Sequence, residues 1–254
     1  MARADVTLGI DLSAQPAGTA ACRLAWGEGE VTAVTLDADL DDQALTGLRG
    51  GASMVAIDAP FGWPRAYVGA LAEWSSARSW PSVGREQLRY RATDLHVQRH
   101  TGIWPLSPSS DRIAVCAWRC AALLADWGVR DPLGGDGAVE AYPAAALRCW
   151  GLPWRGYKAQ APQARRRTAD VRAQIIADLR RECRWLALTE AQWAGCQDSH
   201  DMLDAVICAL VARAAVLKAT VDPNAAAARH AAREGWIQLP NRAPISQLLK
   251  PAAR

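Results

Sequence analysis

Three apolar segments of this chain each stop on a carboxylate: Asp11 in VTLGIDLS, Asp58 in MVAIDAP and Glu140 in AVEAYP. That pattern restricts the chain to folds built around a sheet. The first segment alternates, then breaks at its acid into the turn-forming AQPAG, as a strand and a tight turn do. TAACRLAW and EVTAVTLD follow, separated by GEG, so the first three strands are expected as an antiparallel meander. DDQALTGLRGG places Asp at the start and Gly after the end of a short helix. SMVAIDAP is apolar without alternation, as a strand covered on both faces must be. The expected order is strand, strand, strand, helix, strand, in the α/β class. Chain leaving the carboxyl ends of neighbouring strands in such a sheet converges on one crevice, where acids distant in sequence can meet.

A fourth acidic stretch, HDMLDA, puts Asp201 and Asp204 three apart on one face at the head of an apolar helix, with His200 beside them. Clustered carboxylates repel one another unless a cation sits among them, and hard divalent cations prefer oxygen ligands. Asp11, Asp58, Asp201 and Asp204 are therefore the candidate ligands of Mg²⁺ or Mn²⁺, with Glu140 and His200 as further catalytic candidates. Bland roles compete with these. Asp11 would serve as a turn cap, Asp58 as an acceptor for a loop amide, and Asp201 as a carboxylate at a helix N-terminus.

The 254 residues are half hydrophobic and show no linker-like composition break, so one domain spanning 1–254 is expected. Residues 61–108 lose regular patterning under Pro and Trp punctuation and read as an insertion that caps the site. Within it Arg91 and Asp94 are spaced to share a helical face. On the surface they would form an ion pair worth about 0–1 kcal/mol; turned to the crevice, Arg91 and Lys158 would bind phosphate. SSDRIAVCAWRCAALLADWG reads as an amphipathic helix with Ser or Asp as its N-cap. Arg165, Arg166, Arg167, Arg172, Arg180, Arg181 and Arg184 fall in one helical stretch, either a solvated face or a surface that tracks phosphates.

Twelve tryptophans accompany one phenylalanine; Trp63, Trp74, Trp80 and Trp104 are expected in buried packing, with base stacking as the alternative. The seven cysteines include no CxxC pair, so they read as small hydrophobes in a reducing compartment, Cys116 and Cys120 included. No apolar run reaches the roughly 18 residues of a membrane span, and a soluble, cytoplasmic protein is expected.

GIDLSA, AIDAPFGWP, RATDLHVQRHTGIWPLSPSSDRI, EAYPAAALRCWGL with GYK, HDMLDAVICALVARA and EGWIQLP, in this order, resemble the domain-of-unknown-function family 429, described as predicted nucleases of the RNase H-like superfamily. The resemblance implies a mixed five-stranded sheet flanked by helices, with the first strand central and the fourth and fifth parallel to it. EGWIQLP would add a strand at the sheet's edge. It also implies two divalent cations held by Asp11 on the first strand, Asp58 on the fourth, and Asp204 with Asp201 on a late helix, the last arrangement resembling Holliday-junction resolvases. The implied activity is two-metal phosphodiester hydrolysis on nucleic acid; the spacing and charge pattern of the chain itself put Arg91, Asp94, Lys158, Arg165, Arg166 and Arg167 toward the substrate. Two other classes compete: a non-catalytic nucleic-acid-binding module on the same fold, and an ATP phosphotransferase of the actin-like superfamily, which begins similarly but needs a duplicated core.

Overall fold

The computed structural model describes residues 5–158 and 165–250, with the side chain of Arg165 outside the description. Strands β1 (Asp5–Asp11), β2 (Ala20–Trp26) and β3 (Val31–Ala38) form the expected meander. Helix α1 (Asp42–Arg49) follows, its N-terminus capped by Asp41, whose side chain accepts from the Ala44 amide at 2.8 Å. It returns the chain to β4 (Met54–Asp58), parallel to β1, and β5 (Ala138–Glu140) adds in parallel to β4.

The sheet has six strands rather than five, in the order β5-β4-β1-β2-β3-β6. The extra strand, β6 (Leu186–Ala187), pairs with β3 at the far edge. EGWIQLP does not become a full edge strand. It touches β5 through the single bridge Glu140–Ile237, because buried Trp236 and Leu239 anchor it in the core.

Alternation along the strands divides the interior in two. Leu8, Ile10, Val55, Ile57 and Ala138 face α1 and α5 (Ala114–Asp126). Ala56 and Val139 face the opposite side, where α9 (His200–Val216) is buried from Leu203 to Ala214. A helix apolar all round belongs inside a protein, and α9 lies directly on the central strand. Gly9 permits this: a Cβ there would lie 2.1 Å from both the Ala205 oxygen and the Ala209 nitrogen. Thr7 fixes the crossing by donating its hydroxyl to the Ala209 carbonyl at 3.0 Å. Helices α7 (Arg165–Glu182) and α8 (Glu190–Asp198) complete this side, and α6 (Pro143–Cys149) follows β5.

Residues 61–108 are more regular than their punctuation implies, forming α2 (Arg65–Ala77), α3 (Arg85–Arg89) and α4 (Ala92–Thr101). One buried carboxylate organises two of them. Glu234, the last residue of α10 (Ala225–Glu234), accepts from the first-turn amides of α2 at Arg65, 2.9 Å, and of α4 at Ala92, 2.8 Å. A carboxylate between two helix N-termini satisfies orphan donors and meets the positive ends of both dipoles. Helix α5 lacks the expected Ser or Asp side-chain cap, since Asp111 instead accepts from the Ser107 amide and pairs with Arg89. Among the described residues no helix is long and apolar enough to cross a membrane. All seven cysteines are unpaired, and Cys116 and Cys120 are buried against the core.

Candidate metal centre

Register, face and helix crossing bring the acids together. Asp11 and Asp58 are partners in the parallel β1–β4 pair, so their side chains leave the sheet at the same level on the same face. Alternation puts that face on the α9 side, and the close crossing at Gly9 lowers the first turn of α9 onto the two strand ends. Asp11, Asp58 and Asp204 each place a carboxylate oxygen within 4.8 Å of the others, and Asp11, His200 and Asp201 do the same with one ligand atom each. The two triads share Asp11. Asp204 is fully buried, Asp11 nearly so, and Asp58 and Asp201 are partly open.

Burial raises the Asp11 carboxyl well above its usual range; Lys158 opposes this, while Asp204, Asp58 and Asp201 add to it. Burial likewise lifts Asp58, to about 6, against Lys158 and with Asp204. Asp201 goes the other way. Its burial is outweighed by His200, whose Nδ1 lies 2.7 Å away though off the hydrogen-bond direction, and by a hydrogen bond from Asp11. Closely spaced acids that resist ionisation share protons, and a divalent cation would replace those protons. The oxygen-rich donor set fits a hard divalent ion, Mg²⁺ or Mn²⁺, and His200 brings one nitrogen.

Lys158 stands inside this group. Its Nζ is 2.6 Å from Asp204 Oδ2, an ion pair off the hydrogen-bond direction, and 3.6 Å from Asp58 Oδ2. Burial would lower its pKa, but Asp204, Tyr157, Asp58 and Asp11 outweigh it and hold the ammonium protonated. Tyr157 donates its hydroxyl to Asp204 Oδ1 at 2.9 Å. Its carbonyl accepts from Arg172 Nη1 at 2.7 Å, and the same guanidinium binds the Gln197 and Asp198 carbonyls at the end of α8. No local pattern gave either residue this role: Tyr157 appeared only within GYK beside Lys158, and Arg172 only as one arginine of a basic stretch.

Glu140, Arg91 and Asp94 require correction. Glu140 pairs in register with Ile57, one position off Asp58, so its side chain leaves the opposite face of the sheet. There it meets Arg91, which is buried and is neither a surface partner of Asp94 nor a phosphate ligand. Arg91 Nε and Nη2 donate to Asp94, Nη1 and Nη2 to Glu140, and Nη1 also to the Glu234 carbonyl. The five donors of a guanidinium are thereby all used. Burial would lower the Arg91 pKa, but Asp94 and Glu140 raise it further, and Glu140, lifted by burial, is held back by Arg91. The trio binds the inserted helices to β5 and has nothing left to offer a ligand.

A cavity of about 280 Å³ opens beside the acids, lined by Asp58, Lys158, Tyr142, Trp104 and Arg112, with the buried Arg91–Glu140 pair also at its wall. Arg112 is exposed and, among the described residues, has no ion pair, so its donors are open to the cavity where those of Arg91 are already used. Trp74, Trp80 and Trp104 are about half-exposed rather than packed inside, and Tyr90 stacks on Trp104 at 4.5 Å. Along α7, Arg166 and Arg167 are exposed, Arg172 is buried, and Arg180 and Arg181 are paired with acids. The Arg165 side chain, expected toward the substrate, lies outside the described residues.

The sequence matches the family described as "Protein of unknown function (DUF429)" over residues 9–228, and the chain belongs to that family. No curated protein and no solved structure matches it significantly.

Proposed function

We propose that this member of the DUF429 family is a divalent-metal-dependent hydrolase of phosphodiester bonds in nucleic acid. The observation that carries the reading is the convergence of Asp11, Asp58 and Asp204 from β1, β4 and α9 into one oxygen-lined centre at the end of a sheet. Mg²⁺ or Mn²⁺ held by Asp11, Asp58, Asp201 and Asp204 would lower the pKa of a bound water and neutralise charge on the reacting phosphate. Around it, Lys158 presents a protonated amine to the cavity, Arg112 offers unpaired guanidinium donors for a flanking phosphate, and the part-exposed His200 beside Asp201 would orient water. The exposed Trp104 wall suits an unstacked base, and Arg166 and Arg167 suit phosphates further along a strand. Seven unpaired cysteines favour a cytoplasmic setting.

The test is incubation of the purified chain with single-stranded, duplex and branched DNA and RNA, in Mg²⁺, Mn²⁺ or EDTA. Cleavage that EDTA stops and that Asp11→Asn abolishes, with the variant's fold intact, is the expected result. Cleavage unchanged in Asp11→Asn would remove the centre from the chemistry. Binding without cleavage in every metal would favour the second reading, a nucleic-acid-binding module. The observation on its side is Lys158, which already neutralises part of the acidic charge. An actin-like phosphotransferase is disfavoured, because the described residues form one sheet without a duplicated core.

A further inference from the structure

We infer that the Lys158 ammonium takes the place of one of the two cations of a paired-metal centre, so that the site binds a single divalent ion, on the Asp11, His200 and Asp201 side. The inference rests on the reading of the aspartates as a metal centre and changes its composition. The two triads share Asp11 but differ in what already occupies them. In the first, Nζ of Lys158 lies 2.6 Å from Asp204 and 3.6 Å from Asp58, so both carboxylates other than the shared one already face a positive charge. A divalent ion held by the same oxygens would have to displace the amine or sit against it, and like charges at that separation repel strongly in a partly buried site.

The amine is a built part of the centre. The preceding residue, Tyr157, is buried, donates to the other oxygen of Asp204, and has its carbonyl held by Arg172, which also binds the end of α8 just before His200. One network thus sets Lys158, Asp204 and the head of α9 relative to one another. The second triad is different. His200 and Asp201 keep 31 % and 27 % of their side-chain surface, no lysine or arginine forms an ion pair with them among the described residues, and the donors combine nitrogen with oxygen. Such a set suits Mn²⁺ better than Mg²⁺. Lys158 then acts as a fixed monovalent cation facing the cavity, where a paired centre would use its second metal.

Counting bound Mn²⁺ tests this directly, by calorimetry and electron paramagnetic resonance on the full chain. Wild type should bind one Mn²⁺ per chain, Lys158→Met should bind two, and the single wild-type ion should show ¹⁴N modulation in spin-echo spectra that His200→Gln removes. Two ions in wild type, or one in a folded Lys158→Met variant, would overturn the inference. Should Lys158→Met fail to fold, the wild-type spectrum still decides: one ion without ¹⁴N modulation places it among Asp11, Asp58 and Asp204 and refutes the lysine's role. No Mn²⁺ in wild type would instead sink the metal reading itself, and the inference with it.

Discussion

Replacing Asp58 by Asn should stabilise the metal-free protein at alkaline pH and do nothing for it in acid. Burial, with Asp204 and Glu140 adding to it, raises the Asp58 carboxyl to about 6, and Lys158 does not cancel the effect. In the unfolded chain the same group titrates at about 3.9. Between these values the native state binds more protons than the unfolded state, so stability falls as pH rises from about 4 to about 6 and stays at the lower level above. A shift of about two units at about 1.4 kcal/mol each puts the cost of ionised Asp58 near 3 kcal/mol. That figure is an upper bound, since the side chain keeps 20 % exposure and shares its protons with Asp11. Asn imitates the protonated acid in shape, so Asp58→Asn should recover roughly 1–2 kcal/mol of it at pH 8. Urea unfolding in EDTA at pH 8 and pH 4 measures both arms. A variant less stable than wild type at pH 8 would show that the Lys158 pairing outweighs burial and refute the reasoning.

Arg91→Ala should cost about 3–5 kcal/mol of stability in the same urea assay, because it leaves Asp94 and Glu140 buried without a counter-charge, held only by backbone amides; a loss under 1 kcal/mol would mean the trio is not a clamp. Arg112→Ala should leave stability within about 0.5 kcal/mol of wild type and weaken nucleic-acid binding, read by fluorescence anisotropy; undiminished affinity would remove Arg112 from the substrate path. Gly9→Ala should lose at least about 3 kcal/mol or fail to fold, since overpacking costs 1–3 kcal/mol even where side chains can adjust and here the new carbon meets helix backbone. Near-native denaturant stability of that variant would contradict the α9 crossing.

The strand order was legible because it depends on local signals. VTLGIDLS and SMVAIDAP carry their strand character in their own residues, and Asp11 and Asp58 stand out because acids rarely end such runs without a partner. Glu140 looked equivalent to them, and only register separates it: counting periods along one strand does not say whether its final residue lines up with Asp58 or with Ile57. The Arg91 network was illegible for a different reason. Only the Asp94 contact lay within reach of a spacing rule; the other partners are 49 and 143 residues away. The helices of residues 61–108 were hidden because much of what defines their starts is the Glu234 carboxylate, contributed from another part of the chain. The tryptophans were misplaced because aromatic content favours burial on average, whereas this segment presents Trp74, Trp80 and Trp104 outward.

Two acid groups sit at the same end of this sheet, one on each face, and each faces a single lysine or arginine. Comparing them separates structure from function. On the α5 face, Arg91 fills every donor with Glu140, Asp94 and a carbonyl, and the group is buried even where Arg91 and Glu140 back the cavity. Such a group resists disruption, because removing any member strands a buried charge. On the α9 face, Lys158 keeps 38 % exposure, and its ammonium has three donors to share between Asp204 and a more distant Asp58. Four carboxylates there face one lysine and a histidine, which leaves them short of positive charge, and two of them keep raised proton affinities. An acid group deficient in cations, next to a cavity and assembled from three separate elements, has a free-energy reason to take up a divalent ion. The Arg91 trio, already paired and closed, has none.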